Sequence, residues 1–193
     1  MAETDEIAAV VLAAGESRRF GGRKQLARLE GRTLLEHVLL RADAAGLRPI
    51  IAVVPVWLTR PASASDELIW IRNPVPELGL SHSLHLGLTA VPPRIAAAII
   101  LLGDQPTVAT EAIGTLLAAR GKRPIVAGRA DGVLAPPLLI ERSMFAMAKE
   151  LRGDIGLREV LTAHPKWVTA VDVGAHAPDV DTPDDLADLL GER

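Results

Sequence analysis

The chain has 193 residues, enough for one domain (1–193) with a sizeable core, and its 49% hydrophobic fraction marks a globular protein rather than a disordered one. A formal net charge of -3 gives no electrostatic case for nucleic acid or an anionic membrane, and the absence of cysteine excludes disulfides, thiolate nucleophiles and Cys-based zinc or iron–sulfur sites. No apolar run approaches the roughly 20 residues of a membrane helix and the opening MAETDE is acidic rather than signal-like, so a cytoplasmic protein is expected.

Residues 7–14 form a near-continuous apolar run of strand length, as in a parallel strand buried on both faces. A loop over 15–25 follows directly, with Gly15, Gly21 and Gly22 beside Arg18, Arg19 and Lys24. Glycines let a backbone pass close to a ligand, and guanidinium and ammonium groups answer phosphate charge, so the loop is where a nucleoside triphosphate would sit. The spacing does not make the dinucleotide G-x-G-x-x-G, and Lys24 is followed by Gln25 rather than the Ser or Thr of a P-loop.

Residues 33–45 carry Leu34, Leu35, Val38 and Leu39 at helical spacing and end at Gly46. A strand over 49–54, an irregular Pro/Ser/Ala stretch over 55–66 and a short strand over 68–71 come next. The segment 73–80 (NPVPELGL) is expected to be irregular, followed by a helix over 81–91 with Leu84, Leu88 and Val91 on one face. Residues 96–102 (AAAIILL) give the strongest strand pattern, ending in the loop Gly103-Asp104-Gln105-Pro106. An acid just past a central strand faces the ligand crevice of an open α/β sheet and suits Mg²⁺, although Asp104 also reads as a simple turn cap.

A helix over 110–120 started by Thr110, a strand over 124–127, a turn-rich excursion over 128–137 and a helix over 140–151 follow. The polar loop 152–156 precedes a short helix over 157–163, in the pattern Arg152-Gly153-Asp154-Ile155-Gly156-Leu157-Arg158. A strand over 167–173 and a helix over 183–190, capped by Thr182 with Pro183 at its first position, complete the chain. Strands alternating with helices predict a three-layer α/β/α, Rossmann-like, mainly parallel sheet. Trp57, Trp70 and Trp167 are read as core residues, His82 and His85 as a solvated helix face, and His37, His164 and His176 as surface residues.

The segment from Leu12 to Lys24 matches the nucleotidyltransferase signature L-A-[AG]-G-x-x-x-R-hydrophobic-G-x-x-K at Leu12, Ala13, Ala14, Gly15, Arg19, Phe20, Gly21 and Lys24. Its continuation Lys24-Gln25-Leu26 resembles the molybdenum cofactor cytidylyltransferase branch of the molybdopterin-guanylyltransferase-like superfamily. The resemblance implies a loop wrapped around the triphosphate, with Arg18 beside it and Arg19 and Lys24 in contact. It implies a metal-binding role for Asp104 in the L-[AG]-D-x-P loop, with Asp181 of the D-[IV]-D-T-P-x-D-L pattern approaching a second metal position. The segment Asn73 to Ser83 is similar to the family's N-P-x-x-x-x-G-[ML]-x-x-S-L, which borders the nucleotide, matching at Asn73, Gly79, Ser81 and Ser83; Ser81 also reads as an ordinary helix cap. Gln105, Asp154, Gly156 and Arg158 fall on the acceptor side. The branch's G-H-P element is reduced here to Gly132 and Pro136 or Pro137, without its histidine.

The implied reaction is Mg²⁺-dependent: an acceptor phosphate attacks the α-phosphorus of a nucleoside triphosphate and pyrophosphate leaves. CTP is the expected donor, because Ala13-Ala14-Gly15 follows the cytidylyl relatives, and a molybdopterin-type phosphate is the expected acceptor, with a molybdoenzyme as receiving partner. Two other readings stay open on the sequence, an NAD(P)H-dependent reductase on the same fold and a non-catalytic cofactor-binding chaperone.

Overall fold

The computed structural model describes residues 6–61, 64–151, 157–175 and 177–191, the side chains of 157–159 excepted. Strand β1 (Ile7–Leu12) leads through a 3-10 turn, Lys24–Leu26, into a hairpin of β2 (Arg28–Leu29) and β3 (Arg32–Thr33). Then come α1 (Leu34–Ala44), β4 (Ile50–Pro55), β5 (Ile69–Asn73), α2 (Leu80–Ala90) and β6 (Ala97–Leu102). They are followed by α3 (Thr110–Ala118), β7 (Ile125–Ala130), β8 (Val133–Glu141), α4 (Leu157–Ala163), β9 (Val168–Asp172) and α5 (Pro183–Leu190).

Seven strands form one sheet in the order β5-β4-β1-β6-β8-β7-β9, and only β8 runs antiparallel to its neighbours within it. The expected mainly parallel, three-layer sheet is therefore the observed one. Successive side chains of β1 point to opposite faces. Ala8, Val10 and Leu12 pack with Leu84 and Leu88 of α2, while Ala9 and Val11 pack with Leu35 and Val38 of α1 and with Ile113 and Leu116 of α3. Helix α2 lies close on the sheet: a Cβ added at Gly87 would come within 2.3 Å of Val10 Cγ1 and 3.2 Å of Val53 Cγ2.

Helix ends follow the chemistry of their caps. Thr33 Oγ1 accepts the Glu36 N–H while the Glu36 carboxylate accepts the Thr33 N–H at 2.8 Å, a reciprocal capping box that starts α1. The Thr33 amide beside it holds the Glu36 carboxyl below its ordinary value. Thr182 and Asp185 form the same box at the start of α5, with Pro183 inside it. Thr110 does not cap α3: the capping position is Ala109, and no side chain serves it.

The largest departure lies at 128–151, where a turn-rich excursion and a helix are expected. β7 turns through Asp131 and Gly132, both at positive φ, into the nine-residue β8, and 142–149 is a 3-10 helix (Arg142–Lys149). A short apolar run such as Leu138 to Ile140 reads equally as helix or strand, and pairing with Ile100, Ile99 and Ala98 of β6 selects strand. Pro136 and Pro137 are tolerated because the β7–β8 register shifts between Ala127 and Gly128, so both sit in a bulge with no ladder partner. The β2–β3 hairpin was also not expected; its turn residues Glu30 and Gly31 both have positive φ, as a two-residue hairpin loop requires. The segment 73–80 is less irregular than expected, with Asn73 ending β5, a 3-10 turn at Pro76–Leu78 and Leu80 opening α2.

Two tryptophans are not core residues. Trp57 and Trp167 are each 37% exposed, Trp57 lying under the Arg23 guanidinium at 4.6 Å and Trp167 stacking on the His164 ring at 3.9 Å. Both are half-covered by one polar neighbour, which composition could not reveal. His37 is half-buried, with Nε2 2.7 Å from the Leu29 carbonyl, and so is not a plain surface residue; His82 and His85 on α2 are also half-buried.

Candidate active site

Strands β4 and β6 flank β1 on opposite sides, and the connections leaving them wind in opposite directions, so a crevice opens where β1 and β6 end. The loops leaving the two strands press together: the Gly103 N–H donates to the Leu12 carbonyl at 2.8 Å, and a Cβ on Gly103 would meet the Ala13 Cβ at 2.6 Å. That contact brings the glycine loop and Asp104 to one cleft of about 520 Å³.

Lys24 stands at its centre. Its side chain is 13% exposed, and Nζ donates to Asp104 Oδ2 at 2.8 Å and to Asp181 Oδ1 at 2.9 Å. Burial alone would push the Lys24 ammonium down, but the Asp104 and Asp181 carboxylates outweigh it and hold the group above its ordinary value. Arg19 reaches the other oxygen of Asp181, Oδ2, at 2.7 Å, with its own side chain mostly exposed. Arg18 pairs with Glu16 at 2.6 Å on the outer lip of the cleft.

Asp181 is carried by a segment that folds back from the end of β9. The Val180 N–H donates to the Asp104 carbonyl at 3.0 Å, and Gln105 Nε2 donates to Asp179 Oδ1 at 2.9 Å. The fully buried Val180 packs against Leu29 and Leu34, which gives the β2–β3 hairpin a purpose. The Asp181 N–H donates to Asp185 Oδ2 at 2.9 Å, so the α5 capping box reaches one residue further back to fix it.

Of the residues singled out in the sequence, Leu12, Ala13, Ala14, Gly15, Arg18, Arg19, Lys24, Gly79, Ser83, Asp104 and Asp181 border this cleft. Four do not. Gly21 sits behind the lip at φ +69, in a left-handed turn that favours glycine. Asn73 is wholly buried; its Nδ2 donates to Ser83 Oγ at 3.0 Å and its Oδ1 accepts the Val75 N–H, so it acts on the cleft by holding Ser83. Ser81 is buried in the first turn of α2, and the capping position there is Gly79 without a side-chain bond, so Ser81 is not the cap either. Gln105 is buried and turned to Asp179 rather than toward an acceptor. Asp154 and Gly156 lie outside the described residues; Arg158 falls within α4 with its side chain outside them.

Among the cleft residues to which the sequence reading gave no role are Gln25, Glu77 and Asp179. The glutamine directly after Lys24 was the available signal for the first. Ala135, Pro136 and Pro137, from the reduced G-H-P stretch, line a separate apolar cavity of about 350 Å³ with Thr107, Ala112 and Val173.

The donor set suits a hard divalent cation. Asp104 Oδ2 and Asp181 Oδ1 converge on Lys24 Nζ, the point a divalent cation would share or take over from the ammonium, and Asp104 Oδ1 is buried without a hydrogen-bond partner among the described residues. No cluster of three or more His, Asp or Glu ligands occurs among the described residues. Among the described residues no helix is long and apolar enough to cross a membrane.

A switch-point cleft with clustered cations and a carboxylate pair defines a nucleotidyltransferase. The chain belongs to the MobA-like NTP transferase domain family, whose model matches residues 9–168, and it is an enzyme that transfers a nucleotide from a nucleoside triphosphate. It is 29% identical to the purine catabolism protein PucB of Bacillus subtilis, over 91% of this chain and 92% of that protein. It is 28% identical to the bifunctional protein GlmU of Mycolicibacterium smegmatis over 93% of this chain, but spans only 39% of GlmU. The fold superposes on crystal structures of Rv0371c from Mycobacterium tuberculosis H37Rv, one with a TM-score of 0.85, 30% identity and 96% and 98% of the two chains covered. A second, solved in complex with manganese, superposes with a TM-score of 0.81 at 28% identity, covering 96% and 98%.

Proposed function

We propose that the whole chain acts as one domain that moves CMP from CTP to the phosphate of a molybdopterin-type acceptor, with Mg²⁺ as cofactor and a molybdoenzyme receiving the product. The observation that carries this reading is the Asp104–Lys24–Asp181 ion-pair chain in a cleft bordered by the glycine loop. Charge of both signs meets where a polyphosphate and its counter-ion need it. An acceptor phosphate oxygen bonds to the α-phosphorus while the bond from that phosphorus to the bridging oxygen breaks, and pyrophosphate departs with the electron pair. No protein nucleophile takes part, so positioning and charge neutralisation supply the rate.

Lys24 and Arg19 offset charge on the triphosphate, Lys24 as a compact point charge and Arg19 as an exposed fork from the rim. Asp104 and Asp181 hold the divalent cation, whose chemistry is to neutralise charge on the phosphate oxygens as it shifts toward the leaving group. Gly79 and Ser83 border the opposite wall, where the nucleoside would lie, with Asn73 fixing Ser83 from beneath. Asp154, Gly156 and Arg158 are assigned to the acceptor. The Ala13-Ala14-Gly15 signature supports CTP over GTP, and the Lys24-Gln25-Leu26 continuation supports the pterin acceptor.

The test mixes protein, Mg²⁺, molybdopterin and each nucleoside triphosphate in turn and measures pyrophosphate. Release with CTP above the other nucleotides, lost in Arg19→Ala and on chelation of the metal, is the expected result. Equal release with every nucleotide would remove the CTP assignment, and release only with a different phosphate acceptor would remove the pterin.

A further inference from the structure

Gln25 is a buried polar residue whose hydrogen bonds all run to the glycine loop. It is 7% exposed. Its Nε2 donates to the Ala13 carbonyl at 3.1 Å and to the Gly15 carbonyl at 2.7 Å, and its Oε1 accepts from Ser17 Oγ at 3.3 Å. Only the NH₂ end of a carboxamide can face two carbonyl oxygens, so the orientation of the side chain is fixed. In a planar trans peptide the C=O and the following N–H point in opposite directions. Tying the carbonyls of Ala13 and Gly15 to Gln25 therefore turns the N–H groups of Ala14 and Glu16 away from it. Among the described residues no acceptor takes the N–H of any residue from 14 to 19, and all six residues border the cleft. Gly15, Glu16, Arg18 and Arg19 are exposed, so water hydrates their amides and a phosphate entering the cleft can replace it.

We infer that Gln25 is the positioning residue of the phosphate-binding wall: by drawing two carbonyls inward it presents the Ala14 and Glu16 amides to the polyphosphate of the substrate. This rests on the reading of the cleft as the triphosphate site. Backbone amides would then bind the tail from the loop side while Lys24 and Arg19 bind it by charge. The substitution Gln25→Glu would set carboxylate oxygens against the two carbonyl oxygens and release the loop, whereas Gln25→Leu would remove both donors while keeping bulk.

Inorganic tripolyphosphate is the probe, titrated calorimetrically into wild type, Gln25→Glu and Gln25→Leu. The expected result is a dissociation constant raised about tenfold in each variant at an unchanged number of sites, as the loss of one or two presented donors implies. A merely structural role would lower the number of competent sites and leave the constant unmoved, and that outcome overturns the inference. Hydrogen exchange on the wild type decides independently of how the variants fold: tripolyphosphate should slow exchange at the Ala14 and Glu16 amides. Binding without that protection defeats the role of Gln25 alone. No binding of tripolyphosphate to the wild type defeats the reading of the cleft with it.

Discussion

Lys24 shows how one side chain can be both a structural tie and a reagent. Alone in a part-buried site an ammonium loses its proton more readily; between Asp104 and Asp181 it holds on to it. Its folded value lies above the ordinary 10.5, so what it contributes to stability is fully present below that value and is lost only as pH rises through the raised one. Lys24 should therefore add no inflection to the pH–rate profile between about pH 6 and 9, the range in which unperturbed His titrates and Lys does not. Lys24→Met should cut turnover about a hundredfold or more, the scale on which removing a transition-state charge partner acts. A near wild-type rate for that variant in a pyrophosphate assay would take Lys24 out of the chemistry. At this scale much was legible: Arg19, Lys24 and Asp104 follow from glycines, cations and an acid placed at strand ends. The partners of Gln25 and Asp179 were not, because neither a hydrogen bond to loop carbonyls nor one from the Gln105 side chain leaves a periodic trace in sequence.

Elements were legible where one local rule decided them. The apolar runs of β1, β4 and β6, the Thr182-Pro183 start of α5 and the Gly46 end of α1 all carry their own signals. β8 carried none, because its prolines argue against a strand until the bulge opposite Gly128 is known, and that bulge is a property of two strands together. The α1 capping box offers a stability test. Glu36→Ala removes one half of it and should cost about 1 kcal/mol in urea unfolding at neutral pH. Because the Glu36 carboxyl is held low, its contribution exists above the unfolded value of 4.5 and fades as pH falls through the folded one. The gap between wild type and variant should accordingly narrow in acid; a gap independent of pH would mean the carboxylate is not the stabilising form.

Across the whole molecule, the candidate site is assembled from the start, the middle and the end of the chain. Asp104 and the glycine loop are joined by the β1–β6 pairing, whereas Asp181 arrives on a segment beyond β9, pinned by Val180, Gln105 and the α5 box. The family resemblance of the D-T-P pattern implied that Asp181 nears the metal position, but the contacts that bring it there, through Val180 and Gln105, are set by packing of the finished sheet. A chain ended after residue 174 keeps all seven sheet strands yet loses one carboxylate of the pair. It should retain the circular dichroism of the sheet and lose pyrophosphate release, and normal turnover by such a chain would show that Asp181 is dispensable.

The stacking of Arg23 over Trp57 at 4.6 Å has a practical consequence. The indole is half open to solvent, and the cation covering it sits one position before Lys24. If a ligand at Lys24 shifts Arg23, the emission of the Trp57 indole should change in colour and intensity, and a Trp57→Phe variant would show whether that change comes from this ring.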